Sequence, residues 1–308
     1  MSAADRGATE MSENRSWLSI HSLLTREPGR LALIGAPLVK ESLTPGRYDL
    51  SPDSVREALK RLSVYDLETQ TDLSDLRVRD FGNVPIAELT PAECLAPLTE
   101  AVHQLSRQAE LAIILGGHNG VTRPGVHGTG FSLDSTGLLT LDAHFDLRDT
   151  DGGLNNGNPI QALLEDGMPG AHISQVGLAP FANTKKAHAK ATRAKISVRT
   201  LSECVERGFL QVVKEELDRL ARACDIIYVD FDIDVIDRAQ MPSAPGARVG
   251  GLSARDFFAA ARSVAAHPKV RCVDLSEFDP SMDVQATGAL TAARWVAEIL
   301  AGFSARRA

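Results

Sequence analysis

Asp142-Ala-His-Phe-Asp-Leu-Arg-Asp149 follows directly on Gly137-Leu-Leu-Thr-Leu141, and the reading of this junction decides the fold. The apolar run is of the kind that forms a strand buried on both faces of an α/β sheet. Asp142, His144 and Asp146 are spaced two apart, so in extended backbone their side chains leave from the same side. Grouped carboxylates repel one another unless a cation sits among them. Taken alone, the motif leaves a metal site and a solvated acidic turn both open.

A second junction repeats the pattern. The run Asp225-Ile-Ile-Tyr-Val229 leads into Asp230-Phe-Asp-Ile-Asp234 and then Asp237. Asp230, Asp232 and Asp234 alternate with apolar residues, as if one face of a buried strand were carboxylate. An unpaired carboxylate in an apolar sheet costs several kcal/mol or takes up a proton. A row of them is most simply explained by cations. A donor set of oxygens with one imidazole favours manganese or magnesium over zinc. Bridging carboxylates point to two ions roughly 3.5–4 Å apart.

The 308 residues suffice for one large α/β domain or two small ones. Hydrophobic residues make up 44% and charged residues 24%, as in ordinary globular proteins. The net charge is −7 with scattered basic residues, which argues against nucleic acid and anionic membrane as partners. No apolar run reaches the roughly 18–20 residues of a membrane span. Residues 1–16 are polar with no signal-peptide core, so the expectation is a disordered tail and a cytoplasmic protein. Cys94, Cys204, Cys224 and Cys272 lack paired-ligand spacing, and the last three lie in apolar patterns, which predicts reduced core residues.

The remaining elements alternate. Strands are expected at Leu31–Pro37, Leu76–Phe81 (nearer an edge), Leu111–Leu115, Ile173–Gly177, Ala194–Val198 and Val270–Leu275. Helices are expected from Ser51 or Asp53 to Leu62, and from Thr90, where Pro91 and Glu93 complete a capping box. Further helices are expected from Pro159 to Asp166, over 201–223 with Val205, Leu210, Val213, Leu217 and Leu220 inward, from Ser253 to Ala266, and over 285–302. This alternation predicts a three-layer α/β sandwich with a mainly parallel sheet, as one domain over 17–308. Ligands of such sheets bind beyond the carboxyl ends of the strands. Gly116-Gly-His-Asn-Gly120, Asp142–Asp149, Asp230–Asp237 and Glu277 all fall there.

Together these motifs resemble the ureohydrolase family, which includes arginase, agmatinase, guanidino-acid hydrolases and formimidoylglutamase. The likeness runs from about residue 31 to 300. It takes in Pro45-Gly-Arg47, Ser51-Pro-Asp-Ser-Val-Arg56, Gly116-Gly117, Asp142–Asp146, Asp230–Asp234, Pro245-Gly246 and Glu277. The resemblance implies an arginase-like fold and a two-manganese centre that hydrolyses C–N bonds of guanidino or formimino groups. It implies that Asp142 and Asp232 bridge the metals, that His144 and Asp234 complete one, and that Asp146 belongs to the other. It places Glu277 against the substrate amidinium and implies a trimer or hexamer. Asp146 is then the obvious group to pass a proton to the departing amine.

This chain departs from the family pattern in the first loop, where Asn119 stands in place of a ligand His. An amide oxygen is a neutral and weaker donor than imidazole. His118 is expected to point elsewhere. The loop that carries a His in arginine- and agmatine-cleaving relatives reads Leu154-Asn-Asn-Gly-Asn158, which makes Asn156 and Asn158 substrate-binding candidates. Asp-Ala-His-Phe-Asp-Leu-Arg looks most like the formimidoylglutamase branch. Its substrate, N-formimino-L-glutamate, needs cations for two carboxylates, and Arg148 and Arg123 are the candidates. The alternatives are an agmatinase or other guanidino-acid hydrolase that releases urea, and a degenerate metal-binding relative without turnover. Asn119 speaks for the degenerate reading. The five retained ligand positions and Glu277 speak against it.

Overall fold

The computed structural model describes residues 17–306. The expected tail, residues 1–16, lies outside the described residues. Nine parallel strands form one sheet: β1 (Leu24–Thr25), β2 (Leu31–Ala36), β3 (Val78–Asn83), β4 (Leu111–Gly116), β5 (Thr136–Leu141), β6 (Ile173–Leu178), β7 (Ser197–Thr200), β8 (Ile226–Asp232) and β9 (Val270–Ser276). Their spatial order is β1-β3-β2-β4-β9-β8-β5-β6-β7. A two-stranded hairpin, Tyr65–Asp66 with Thr71–Asp72, stands apart from this sheet.

Side chains alternate between two apolar layers, as a sheet covered on both faces requires. Leu33, Ile113, Leu139, Val229 and Val273 pack to one side, toward helices α1 (Ser51–Ala58), α6 (Leu201–Arg207), α7 (Phe209–Ala223), α8 (Ala254–Ala266) and α9 (Thr287–Ser304). Ile34, Ala112, Ile114, Leu138 and Tyr228 face the other side, toward α2 (Pro91–Gln108), α3 (Thr122–His127), α4 (Pro159–Glu165) and α5 (Lys185–Ala194). The three-layer α/β architecture read from the alternation is the one observed.

The capping box at Thr90 forms as expected, with Glu93 N donating to Thr90 Oγ1 and Thr90 N to Glu93 Oε2. The single helix expected over 201–223 is instead two helices, broken at Gly208, whose φ of +86° is open to glycine. The break turns Val205 to solvent, so its inward assignment is corrected and Cys204 is the buried residue of that turn. The helix at Leu50 stops at Ala58 and tightens into a 3₁₀ turn over Leu59–Arg61. Cys94, Cys204, Cys224 and Cys272 are free and buried. Among the described residues no helix is long and apolar enough to cross a membrane.

Four adjacent central strands, β4, β9, β8 and β5, end at the same edge. Gly116, Ser276, Asp232 and Leu141 are their last residues, so the four polar motifs that follow are brought to one place by strand order alone.

Candidate active site

The loop after β5 is held by its own carboxylate. Asp142 Oδ1 accepts the His144 backbone N–H at 2.6 Å, turning the chain sharply out of the sheet. After β8, Asp232 does the same for Asp234 N at 2.9 Å. These two turns put His144 Nδ1 2.9 Å from Asp234 Oδ2 and 3.5 Å from Asp142 Oδ1. Asp142, His144 and Asp234 thus offer donor atoms all within 4.8 Å of one another. The second Asp142 oxygen is buried without a hydrogen-bond partner among the described residues. A hard cation fits such a set: two carboxylates, one imidazole and a free buried oxygen.

Asp146 and Glu277 both adopt left-handed backbone, with φ of +50° and +66°. For non-glycine residues this costs about 1–3 kcal/mol each and persists only where the surroundings enforce it. Asp146 O accepts Gln161 N at 3.2 Å, and Glu277 N donates to Gly117 O at 3.0 Å. The strain sits on the two residues the resemblance marks for substrate and proton handling. Glu277 Oε1 accepts Asn119 N at 2.7 Å and Asn156 Nδ2 at 2.9 Å, and the side chain is 4% exposed at the cavity floor.

The crowding of acids governs their titration. Burial, then the charge of Asp234, raises Asp142 to about 6. Burial raises Glu277 to about 7 against the opposing hydrogen bonds from Asn119 and Asn156. Burial and neighbouring carboxylates push Asp232 and Asp146 well above the usual carboxylate range. His144 moves the other way. Burial alone would lower it, but Asp234 and Asp142 outweigh burial and hold it up to about 11, and His144 in turn keeps Asp234 low. The cluster is therefore short of positive charge.

Asn119, expected to offer its amide oxygen to a metal, stands beside Asp146 at the cluster, with that oxygen turned toward two hydroxyls. It accepts the hydroxyls of Thr122 at 2.7 Å and Ser276 at 3.2 Å. The amide N–H₂ faces the site and donates to Asp146 Oδ2 at 2.7 Å. Thr122, one helical turn beyond Asn119, carried a signal that was overlooked, because residues three apart share a helix face. His118 lies away from the cluster, fully buried. Its Nδ1 accepts Gly120 N at 3.1 Å, so Nε2 carries the proton toward Lys40 O at 2.8 Å, and burial lowers its pKa to about 4.

Asp230 lies deeper in the sheet, directly across the ladder from Asp274. Burial first, then the charge of Asp274, pushes it well above the usual carboxylate range. Asp274 is raised to about 6 by burial and accepts Tyr228 Oη at 2.5 Å. Two carboxyls so placed cannot both ionise, and the pair holds a proton.

A cavity of about 590 Å³ opens above the cluster. Asp146, Asp232, Asp234 and Glu277 line its floor, with Arg148, Asn156, Asn183, Lys186 and Arg248 on its walls. Asn156 bridges Glu277 and Leu43 N. Asn158 does not line the cavity. It is fully buried, and its amide ties Asn155 N, Asp149 O and Gly153 O, so its assignment to substrate is corrected to holding the loop. Arg123 is likewise committed elsewhere, in a two-pronged pair with Asp166 at 2.6 and 2.7 Å. Arg248 and Lys186 also line the cavity, and neither is marked by the sequence pattern.

A parallel sheet with acid clusters at the ends of its central strands and an imidazole among them defines a class. Residues 30–302 match the arginase family, and the chain belongs to it. Within that family it is similar to the formimidoylglutamase of Halalkalibacterium halodurans, at 30% identity over 88% of this chain and 86% of the relative. The crystal structure of formimidoylglutamase from Bacillus subtilis superposes with a TM-score of 0.89 at 27% identity, covering 95% of this chain and 94% of that one. A Trypanosoma cruzi formiminoglutamase solved with Mn²⁺ shares the fold, with a TM-score of 0.83 at 23% identity over 91% of this chain and 95% of that one.

Proposed function

We propose that this chain hydrolyses N-formimino-L-glutamate to L-glutamate and formamide, using two manganese ions. The observation that carries the reading is the charge pattern of the cavity. Its floor is carboxylate, and its wall carries Arg148 and Arg248, neither paired with a carboxylate among the described residues. The substrate is charged in the complementary way, with an amidinium at one end and carboxylates at the other. Agmatine, cationic at both ends, would set its tail against those arginines, which favours the formimino reading over agmatinase. The relatives named above support the same substrate class.

Asp142, His144, Asp146, Asp232 and Asp234, with Asn119 beside Asp146, would hold the metals. Bound there, the metals would supply Lewis-acid activation of water near neutral pH. The protein's own groups do the rest. Glu277 accepts the amidinium N–H groups in charge-assisted hydrogen bonds and fixes the formimino carbon over the cluster. Asn119 N–H and Asn156 N–H hold the Glu277 carboxylate in place. Asp146, oriented by the Asn119 amide, is placed to carry a proton to the departing glutamate nitrogen as the C–N bond breaks.

The test is a panel assay. Manganese-loaded protein is offered N-formimino-L-glutamate, agmatine, arginine and 4-guanidinobutyrate, with formamide and urea both measured. Formamide from the first substrate is expected. Urea from any of the others at higher kcat/KM would overturn the assignment.

A further inference from the structure

Among the side chains lining the cavity, the cations are Arg148, Lys186 and Arg248. Lys186 is engaged at the exposed rim, where it pairs with Asp149, whose other oxygen takes Lys190 at 2.9 Å. That leaves two arginines, and they stand in different places. Arg148 follows the ligand loop, its backbone N–H on Gly157 O at 3.1 Å and its side chain running beside Gly157. Arg248 comes from the loop after β8. Its Nη1 donates to Gly246 O at 2.7 Å, and its Nη2 lies 3.2 Å from His144 Nε2. Arg248 is therefore anchored by a backbone carbonyl and lies beside His144 at the edge of the acidic cluster, where the reacting carbon would sit.

We propose that Arg248 is a specificity residue that binds the substrate carboxylate nearest the scissile bond, leaving the distal carboxylate to Arg148. This rests on the formimino reading above. In N-formimino-L-glutamate the α-carboxylate is joined to the carbon that bears the reacting nitrogen, so it must lie beside the cluster once Glu277 has fixed the amidinium. Arg248 is the arginine whose guanidinium lies beside His144, 3.2 Å from its Nε2. The γ-carboxylate extends farther along the cavity wall. A guanidinium presents a planar pair of donors to a carboxylate, a geometry lysine cannot reproduce. The sequence hides this residue because the loop Met241–Gly251 carries no periodicity.

The experiment compares manganese-loaded wild type, Arg248→Ala, Arg248→Lys and Arg148→Ala on two substrates. One is N-formimino-L-glutamate, and the other is N-formimino-4-aminobutyrate, which lacks only the α-carboxylate. Binding of L-glutamate is followed by calorimetry, and bound manganese is counted for every variant. Arg248→Ala is expected to raise KM for the first substrate by roughly 10–100-fold, the usual loss for a charge-assisted pair. It should leave KM for the second unchanged, weaken L-glutamate binding to a similar degree and retain full manganese. Arg248→Lys should recover only part of the loss, and Arg148→Ala should raise KM for both substrates. Equal effects of Arg248→Ala on both substrates, or no effect, would overturn the proposal. So would loss of manganese, which would make Arg248 a support for His144 instead. The two readings fail separately. A wild type that turns over neither formimino compound, yet binds L-glutamate through Arg248, sinks the activity and keeps the carboxylate site. A wild type that neither turns over the compounds nor binds L-glutamate sinks both.

Discussion

Raising the pH should destabilise the metal-free protein, and metal should remove that dependence. Asp142 is raised from 3.8 to about 6 and Glu277 from 4.5 to about 7 in the folded chain. A carboxyl whose folded pKa is raised contributes stability that is complete below its unfolded pKa and lost as pH rises through the folded one. At 1.36 kcal/mol per pKa unit, each group gives up about 3 kcal/mol between about pH 4 and 7. His144, held up to about 11, adds to the loss above about pH 6.5, because its folded value also exceeds the unfolded one. Asp234 is lowered, so its contribution is lost only at more acid pH and stays constant in this window. For a chain of this size, about 3 kcal/mol corresponds to roughly 5 °C in Tm. Metal-free protein should therefore melt roughly 5–10 °C lower at pH 8 than at pH 5. Saturating manganese should flatten the curve, since cation binding removes the repulsion and adds RT ln(1 + [L]/Kd). Scanning calorimetry with and without chelator at five pH values checks this. A metal-free Tm that stays level or climbs from pH 5 to 8 would refute the electrostatic account of the cluster.

Asn119→His exchanges an amide donor for an imidazole beside Asp146, and should tighten the weaker of two manganese steps in a calorimetric titration. An unchanged isotherm would remove position 119 from the metal centre. Gly246→Ala places a methyl carbon against Asp234 Oδ2 and close to His144 Cε1. It should weaken manganese binding roughly tenfold or more, as displaced supports of a metal site do, while the circular dichroism spectrum is retained. Wild-type affinity in Gly246→Ala would show that Asp234 and His144 are not held by that loop.

The central strands were legible because burial on both faces writes an unbroken apolar run, as in Leu111–Leu115 and Ile226–Val229, and because acids placed directly after such runs have few structural excuses. The edges were not. Leu24–Thr25 is two residues long and carries no pattern distinct from a loop, and the strand expected at Ala194–Val198 begins later, at Ser197, because Ala194 still belongs to the preceding helix. Lys185–Ala194 went unread because it buries little beyond Ala191. In the site, residue type and spacing located the cluster but could not orient it. The direction of the Asn119 amide is set by Thr122 and Ser276, one of them 157 residues away. The fates of Arg123, Asn158 and Arg248 depend on partners the sequence does not name: Asp166 takes the first, the loop backbone the second, and Gly246 O and His144 the third.

The same charges serve two ends that pull apart. Burying Asp142, Asp232 and Glu277 under one cavity makes the metal-free fold less stable at neutral pH, yet these acids set the gradient that orients the substrate. The strained backbone at Asp146 and Glu277 adds to that cost, and both residues lie on the cavity floor, away from the apolar layers. The rest of the architecture offsets it. Four central strands, three of them fully buried, lock the loop origins, and Asp142 and Asp232 each spend one oxygen on capping their own turn. Asp142 and Asp232 are thus fixed by local hydrogen bonds, and Asp146 and Glu277 by Asn119, before any cation arrives. Glu277, which is not among the proposed metal ligands, keeps an acid below the guanidinium groups of the wall whether the metal is present or absent. A substrate with an amidinium head and carboxylate tail then has one favourable orientation, and the reversed orientation sets like charges together at both ends. Selection between formimino and guanidino compounds is on this view electrostatic, made mainly by what the wall does to the tail.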